Sequence, residues 1–420
     1  MQFVELEPKE FTKFADSHQD KSFFQTTKIA ALREQNGWQA HYVGVKQGEK
    51  ILAASLIVSK TTFAGHKTFY APGGPLIDFE DFKLLEFFVQ NLKIYLKKHK
   101  AYVFHIDPYY ELIERDRDGN VKPDGFNHQA AADNLKKLGF KPLKVSEQPK
   151  YLFALDLDFK NEAEMLDSFK SNTRNKINKT LKHGIKIHEL KKSELPRFKE
   201  ITAATSRRRG FTDKPESYYT TMYDLFGDQV KFVLAEIDLT EYRESLNSSL
   251  SSLEKELENI KKECERVAKI ENPDNQTKKK LARLENSQKP VFAAIEDAKN
   301  RLADAAKITD KTLDLSAAMF ILYGDEVIYL FSGSYEEYMK FDAQYTIQWH
   351  MLKYALKNGY KRYNFYGIQG LPDPKKPDYG VYEFKKGFGG RVIELLGSYE
   401  LGLSPLYSLH KLLSKLKSLV

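Results

Sequence analysis

The chain of 420 residues has a single cysteine, Cys264, which excludes an internal disulfide framework and any multi-cysteine zinc site. Its ten histidines never fall at a metal-ligand spacing such as HExxH, so no metal is expected. The sequence also lacks a GxSxG nucleophile elbow, a Walker-type phosphate loop and a dinucleotide GxGxxG pattern. Serine-based covalent catalysis and phosphate-loop chemistry therefore have no visible carrier. No window approaches the roughly 18 uncharged apolar residues of a membrane span. The start, MQFVELEPKEF, has no basic head followed by an apolar run. A cytoplasmic protein that does not cross the membrane is expected.

Hydrophobic residues make up 41% and aromatic residues 13% of the chain, enough to build real cores. The length exceeds one average domain and predicts two or three units. A formal net charge of +8 favours anionic partners such as nucleic acid, phosphorylated ligands or an acidic membrane surface.

Residues 1–148 read as one α/β unit. A short strand, MQFVEL, precedes a helix opened by Pro8, and a second helix covers Thr26 to Asn36. The strands WQAHYVGVKQ and KILAASLIVSK form a hairpin turned at Gln47 to Glu49. Regular structure is expected to break at Ala71-Pro72-Gly73-Gly74-Pro75. A helix follows from Asp81 to His99, with Leu84, Phe88, Leu92 and Leu96 on one face, and then the buried strand AYVFHIDP. His105 and Asp107 stand at the end of that strand. His105 reads first as a satisfied side chain of the sheet. Asp107 faces a cleft or belongs to an Asp-Pro turn. A polar loop, 114–125, and a helix ending at LKKLGFKP close the unit.

The plan repeats from YLFALDLDF onward, over residues 149–238 and 311–420. In particular, FVQNLKIYLKKHKAYVFHIDP and IQWHMLKYALKNGYKRYNFYG share one pattern. Two copies of a mixed sheet with helices on both faces are expected. The second copy is interrupted at 239–310. There Leu246, Leu250, Leu253, Leu257, Ile260, Cys264 and Val267 alternate spacings of four and three, the seam of a coiled coil. After a turn at Pro273-Asp274, Leu281, Leu284, Val291, Ile295, Ala298, Leu302 and Ala305 continue the seam, with an irregularity near Pro290. An antiparallel two-helix arm is predicted, with Cys264 packed in it.

Two stretches carry chemistry. In YNFYGIQGLPDPKKPDYGVYEFKKGFGG, residues 363–390, a strand enters a loop with three prolines. Aromatics then alternate with Lys385 and Lys386 before three glycines. The plain reading is strand, loop and strand with solvated lysines; the functional one is a surface that stacks on ligand groups and neutralises anions. The second stretch, Lys170 to Lys182, places Lys170, Arg174, Lys176, Lys179 and Lys182 around a helix. That helix is either solvated or in contact with phosphates of RNA or a nucleotide.

Taken together, FFQTTKIAALREQNGW, FHIDP, SNTRNKINKTLKHGIKI, RRGFTDKPESYY, the helical arm, FYGIQG and YGVYEFKKGFGG resemble, in that order, the FemABX family. These are bacterial aminoacyltransferases that take an amino acid from aminoacyl-tRNA and build peptidoglycan cross-bridges. The resemblance implies a fold of two GNAT-like (acetyltransferase-like) subdomains; some members carry the arm. It also implies transfer to an amine on the stem peptide, or on an existing bridge residue, of a lipid-linked muramyl-peptide precursor. Aminolysis of an activated ester depends on positioning, a neutral amine and oxyanion stabilisation rather than on a nucleophilic side chain. No cofactor is implied, since aminoacyl-tRNA is a co-substrate.

Carried over by the resemblance, Arg33 contacts the precursor's phosphate region. Lys214 stands where many members have arginine, four residues before the aromatic Tyr218. Tyr329 or Phe331 corresponds to a substrate-contacting tyrosine. Phe384 and Lys385 match the FK pair at the transfer site, where the cation stabilises the tRNA end or the developing oxyanion. Asp107 matches an acidic residue considered as a base or an orienter of the amine. An exposed aspartate with a pKa of about 3.9 would be a poor base. Arg174, Lys176, Lys179 and Lys182 are the tRNA-binding candidates.

At the C-terminus, Leu406, Leu409, Leu413, Leu416 and Val420 stand against Lys411, Lys415 and Lys417. Such a basic amphipathic helix rests on the inner membrane face or docks on the core. Monomer and homodimer both fit the arm. The rivals are an acyl-CoA-dependent N-acyltransferase of the same fold and a non-catalytic RNA-binding or coiled-coil adaptor. Against the first, Arg207-Arg208-Arg209-Gly210-Phe211-Thr212 lacks the second glycine of a pyrophosphate loop.

Overall fold

The computed structural model describes residues 1–143 and 147–417. The first unit begins with β1 (Gln2–Glu5), α1 (Pro8–Ser17) and α2 (Thr27–Gln35). A meander follows, β2 (Gln39–Gln47), β3 (Lys50–Phe63) and β4 (His66–Gly73), then α3 (Phe82–Lys98) and β5 (Ala101–Pro108). β5 runs parallel to β4. Thr26 and Asp81 cap α2 and α3 by accepting the backbone N–H groups of Ile29 and Leu84, which satisfies donors that a helix start leaves orphaned. β6 (Glu111–Glu114), α4 (Gln129–Lys137) and β7 (Lys141–Pro142) complete this stretch.

The second unit opens with β8 (Tyr151–Asp156), α5 (Glu162–Ser168), α6 (Ser171–Lys182), β9 (Ile185–Glu189), α7 (Leu195–Arg209), α8 (Glu216–Phe226) and β10 (Val230–Asp238). Then come α9 (Leu239–Ala268), α10 (Asn275–Ala306), β11 (Thr312–Tyr323), β12 (Glu326–Ser334), α11 (Ala343–Lys357) and β13 (Arg362–Ile368). The plan β2-β3-β4-α3-β5 recurs as β10-β11-β12-α11-β13, again with a parallel last pair. The chain closes with α12 (Tyr379–Lys386), β14 (Arg391–Leu395), β15 (Tyr399–Gly402) and α13 (Pro405–Lys417).

The strands form a seven-stranded sheet, β1-β2-β3-β4-β5-β15-β7, and an eight-stranded one, β6-β14-β8-β13-β12-β11-β10-β9. Two strands thus cross the division drawn at residue 148: β6 joins the second sheet and β15 the first. One core lies between the sheets and unites Phe11, Leu56, Val58 and Tyr70 with Phe198, Tyr219, Phe232 and Met319. The outer face of the first sheet is covered by α3 and α4, and that of the second by α5, α6, α11 and α12. Burial of this much apolar side chain drives the two halves into one body.

α9 and α10 pair as antiparallel helices. Leu257 packs with Val291 and Ile295, and Glu263 and Glu254 bridge to Lys280 and Lys299 across the pair. α10 runs through Pro290 without ending. Cys264 is half-buried, and its Sγ accepts from Gln288 Nε2 at 3.3 Å.

Two local expectations change. β4 does not break at Ala71, because Ala71, Pro72 and Gly73 still pair with Ile106, Asp107 and Pro108. By then β3 has left β4, so the N–H that Pro72 lacks is not needed. Buried Gln25 fills the gap: its Nε2 donates to the Leu56 and Pro72 carbonyls, and its Oε1 accepts the Leu56 N–H. The stretch after the three prolines is helix α12, not a strand with solvated lysines. Lys415, Leu416, Lys417 and Val420 lie outside the residues whose side chains are described.

Candidate active site

The parallel pair β12–β13 holds for three registers only, Glu326–Arg362 to Ile328–Asn364. Beyond them the strands diverge, whereas the matching pair β4–β5 stays joined through Gly73–Pro108. The second sheet is therefore split and the first is not. A cleft lies on each side of the split, and Leu330 and Tyr366 line both.

The cleft toward the first unit, of about 840 Å³, is lined by Arg33, Lys214, Tyr218 and Phe331. Arg33 pairs with Glu147 at 3.0 Å and lies 5.6 Å from the ring centres of both Trp38 and Tyr70. Lys214 sits 5.5 Å over the Tyr218 ring, which meets Phe331 edge-on. Cations held against aromatic faces suit an anionic group. The cleft on the other side, of about 790 Å³, is lined by Lys176, Tyr329, Tyr345, Phe384 and Lys385. Tyr329 and Phe331 reach opposite clefts because a bulge at Leu330 inserts one residue into β12, reversing the side on which the next side chain falls.

Lys385 is the most unusual group of the site. It is 5% exposed, and its Nζ donates to the Gly367 carbonyl at 2.6 Å and the Tyr366 carbonyl at 3.2 Å. Burial lowers its pKa to about 7, since a charge leaving water without a counter-ion is penalised. Phe384 packs edge-on against Tyr345 with centroids 5.0 Å apart. α12 is held in place by Lys386–Asp118 and by Tyr382 Oη, which donates to the Arg117 carbonyl. The polar loop after β6 therefore serves as its support.

Asp107 is not the exposed aspartate expected. It is 6% exposed and accepts from Tyr70 Oη and from the Gly73 N–H. Burial drives its carboxyl up to about 7, against the pull of those two donors. It borders a third, smaller cavity of about 260 Å³ between the sheets, which Tyr366 also lines.

The basic helix is less available than its sequence suggests. Lys176 pairs with Asp342 at 2.8 Å and lies 4.9 Å over the Tyr345 ring, inside the cleft of Lys385. Arg174 donates to the Asp167 and Phe169 carbonyls. Lys179 is half-buried and Lys182 exposed, and neither lines that cleft. Sequence reasoning passed over Tyr70, Asn364 and Tyr366. The first two read as ordinary sheet residues, and only the quoted FYG pointed to the third. Among the described residues no group of His, Cys, Asp and Glu could hold a metal ion. Nor is any helix among them long and apolar enough to cross a membrane.

Two α/β units of one plan, the second with its sheet split beside a buried lysine, make up the body of the protein. The chain belongs to the FemAB family, whose model matches residues 6–415. It is 32% identical over 406 residues to aminoacyltransferase FemB of Staphylococcus epidermidis, covering 95% of this chain and 94% of that one. To aminoacyltransferase FemA of Staphylococcus aureus it is 31% identical over 427 residues, covering 99% of both. A crystal structure of FemX superposes with a TM-score of 0.71 at 26% identity, covering 97% of this chain and 99% of that one. The chain is an aminoacyltransferase.

Proposed function

We propose that the protein transfers an amino acid from aminoacyl-tRNA to an amine on the stem peptide, or on an existing bridge residue, of a lipid-linked muramyl-peptide precursor, extending a peptidoglycan cross-bridge. The observation that carries this reading is the pair of clefts meeting at Tyr366 and Leu330 across the split sheet. The Arg33 cleft takes the precursor, with Arg33 and Lys214 on its phosphates and Tyr218 and Phe331 on its apolar faces. The Lys385 cleft takes the charged 3′ end of the tRNA, with Tyr329 and Phe384 as its walls and Lys176 toward its phosphates. Arg174, Lys179 and Lys182 would serve only the more distant nucleic acid.

The neutral acceptor amine attacks the ester carbonyl carbon, a C–N bond forms, and the C–O bond to the ribose breaks. The amine's surplus proton leaves, and the ribose oxygen gains one. Lys385, when protonated, stabilises the oxyanion, the kind of preorganised contribution that matters most in such reactions. Asp107, poised near neutrality, orients the amine or accepts its proton. The reaction calls for no bound cofactor. Leu409, Leu412 and Leu413 are exposed on α13 while its other face packs on Tyr102 and Val103. The exposed leucine face would rest on an anionic membrane, where a lipid-linked acceptor is found.

The test is transfer of labelled amino acid from a mixed pool of charged tRNAs to lipid-linked muramyl-pentapeptide, with and without a first bridge residue. Labelled product supports the reading and names the amino acid. No transfer to either acceptor overturns it.

A further inference from the structure

β13 is distorted beside Lys385. Its ladder with β8 pairs Asn364 with Ala154 and resumes only at Gly367 with Leu152, leaving Phe365 and Tyr366 between. Tyr366 stands at φ +63°, a left-handed conformation that the Cβ of an L-residue disfavours. Such a backbone persists only where its surroundings over-determine it.

Asn364 supplies the determination. It is 1% exposed, and its Oδ1 accepts the Tyr366 N–H at 2.8 Å. Its Nδ2 donates to Tyr109 Oη at 3.0 Å and Glu326 Oε2 at 3.2 Å. Tyr109 in turn donates to both Glu326 oxygens, and Arg362 reaches Glu326, Glu111 and Asp156. A flipped amide would set a donor against the Tyr366 N–H, so the network fixes its orientation. The outcome of this closure is that the carbonyls of Tyr366 and Gly367 both point at Lys385 Nζ.

We infer that Asn364 is a positioning residue for Lys385: by closing on the Tyr366 N–H it holds the left-handed turn that aims two carbonyls at the lysine amine. Tyr109 comes from the first unit, so the same bonds tie the lysine's position to the docking of the two units. The inference rests on Lys385 acting in transfer as proposed above. Other charged groups facing that cleft are Lys176 with Asp342, Asp378, Arg208 and Arg209; none changes in the variants below.

The experiment is a double-mutant cycle on the full chain with Asn364→Ala and Tyr366→Gly. Transfer kinetics are one readout, and the Lys385 titration, followed by 13C NMR of labelled lysine with Lys385→Ala as assignment control, is the other. Asn364→Ala is expected to lower kcat by about 10²-fold, the scale of a small misplacement of a catalytic group, with both KM values nearly unchanged. It should also displace the Lys385 titration. In the Tyr366→Gly background the same change should cost less than about 5-fold, because glycine adopts φ +63° unaided. Equal cost in both backgrounds, or an undisplaced titration, overturns the inference. Asn364→Asp combined with Glu326→Gln retains the acceptor for the Tyr366 N–H, keeps an amide donor opposite a carboxylate without adding charge, and covers the case in which the alanine variant does not fold. Its kcat should stay within about 10-fold of wild type, and a loss as large as that expected for the alanine variant counts against the inference. The NMR readout needs no substrate. A displaced titration in a chain that transfers nothing would therefore sink the proposed reaction and leave the positioning role standing.

Discussion

Tyr70 donates its hydroxyl to Asp107 deep between the sheets, and the Gly73 N–H donates to the other carboxyl oxygen at 2.7 Å. Both bonds favour the ionised carboxyl, yet burial outweighs them and carries it to about 7. The unfolded chain releases this proton near pH 3.9. Between about pH 4 and 7 the native state binds the extra proton, so the contribution to stability falls as pH rises and is lost above the folded pKa. Asp107→Asn is expected to flatten that dependence and to exceed wild-type stability at pH 8. Urea unfolding at pH 5 and pH 8 measures it. Identical pH dependence in the two proteins would mean that the carboxyl titrates normally.

Lys385→Ala is expected to lower kcat by about 10²–10³-fold, the usual cost of removing an oxyanion donor, while KM for the tRNA changes little. The cationic fraction of Lys385 falls as pH rises through about 7. Wild-type kcat should therefore show a descending limb near that pH, which the alanine variant lacks. A variant of unchanged kcat would remove Lys385 from the chemistry.

Arg33→Ala and Lys214→Ala are each expected to raise KM for the precursor about 10-fold with kcat nearly intact, as for a group that holds ground state and transition state equally. Glu147→Gln should act in the opposite sense, because it frees the Arg33 guanidinium from its 3.0 Å partner. Steady-state kinetics at fixed tRNA distinguish these cases. A fall in kcat alone would contradict the assignment.

Gly390→Ala should destabilise the fold by about 3 kcal/mol or more. Gly390 lies at φ +89°, and a Cβ there would run into the Ala154 carbonyl of β8. Denaturant unfolding tests this, and a change below about 1 kcal/mol would show that β8 gives way easily.

Leu412→Glu with Leu413→Glu should weaken binding to vesicles of anionic phospholipid without changing thermal stability, since both side chains face solvent. Co-sedimentation with anionic and zwitterionic vesicles compares the two. Unchanged binding would detach α13 from the membrane role.

Much of the fold was legible because it rests on local pattern. The meanders, the duplicated helix-and-strand unit and the heptad stripe of α9 each follow from apolar periodicity within a few dozen residues. The strand exchange was not legible, since β6 and β15 are short, and their partners, β14 and β5, lie far away in the chain. At the site, Tyr345 and Tyr366 were not picked out, but most of the basic and aromatic residues that line the clefts were. Their electrostatics were not, because burial inverts the character of Asp107 and Lys385 without leaving a mark on neighbouring letters. α12 read as a surface because Lys385 and Lys386 look alike; one is buried under β13 carbonyls and the other pairs with Asp118. The turn at Tyr366 was hidden for a different reason, since a tyrosine gives no sign of a positive φ.

The exchange of β6 and β15 also sets an order on how the molecule can be made. Six of the seven strands of the first sheet lie within residues 1–142, but β15, which stands between β5 and β7, spans Tyr399–Gly402. During synthesis the opening stretch emerges early and waits with the β5 edge uncovered until Tyr399–Gly402 has left the ribosome, about 290 residues after β5. An uncovered edge is an invitation to pair with another chain, so this sheet is open to misassembly in the interval before β15 arrives.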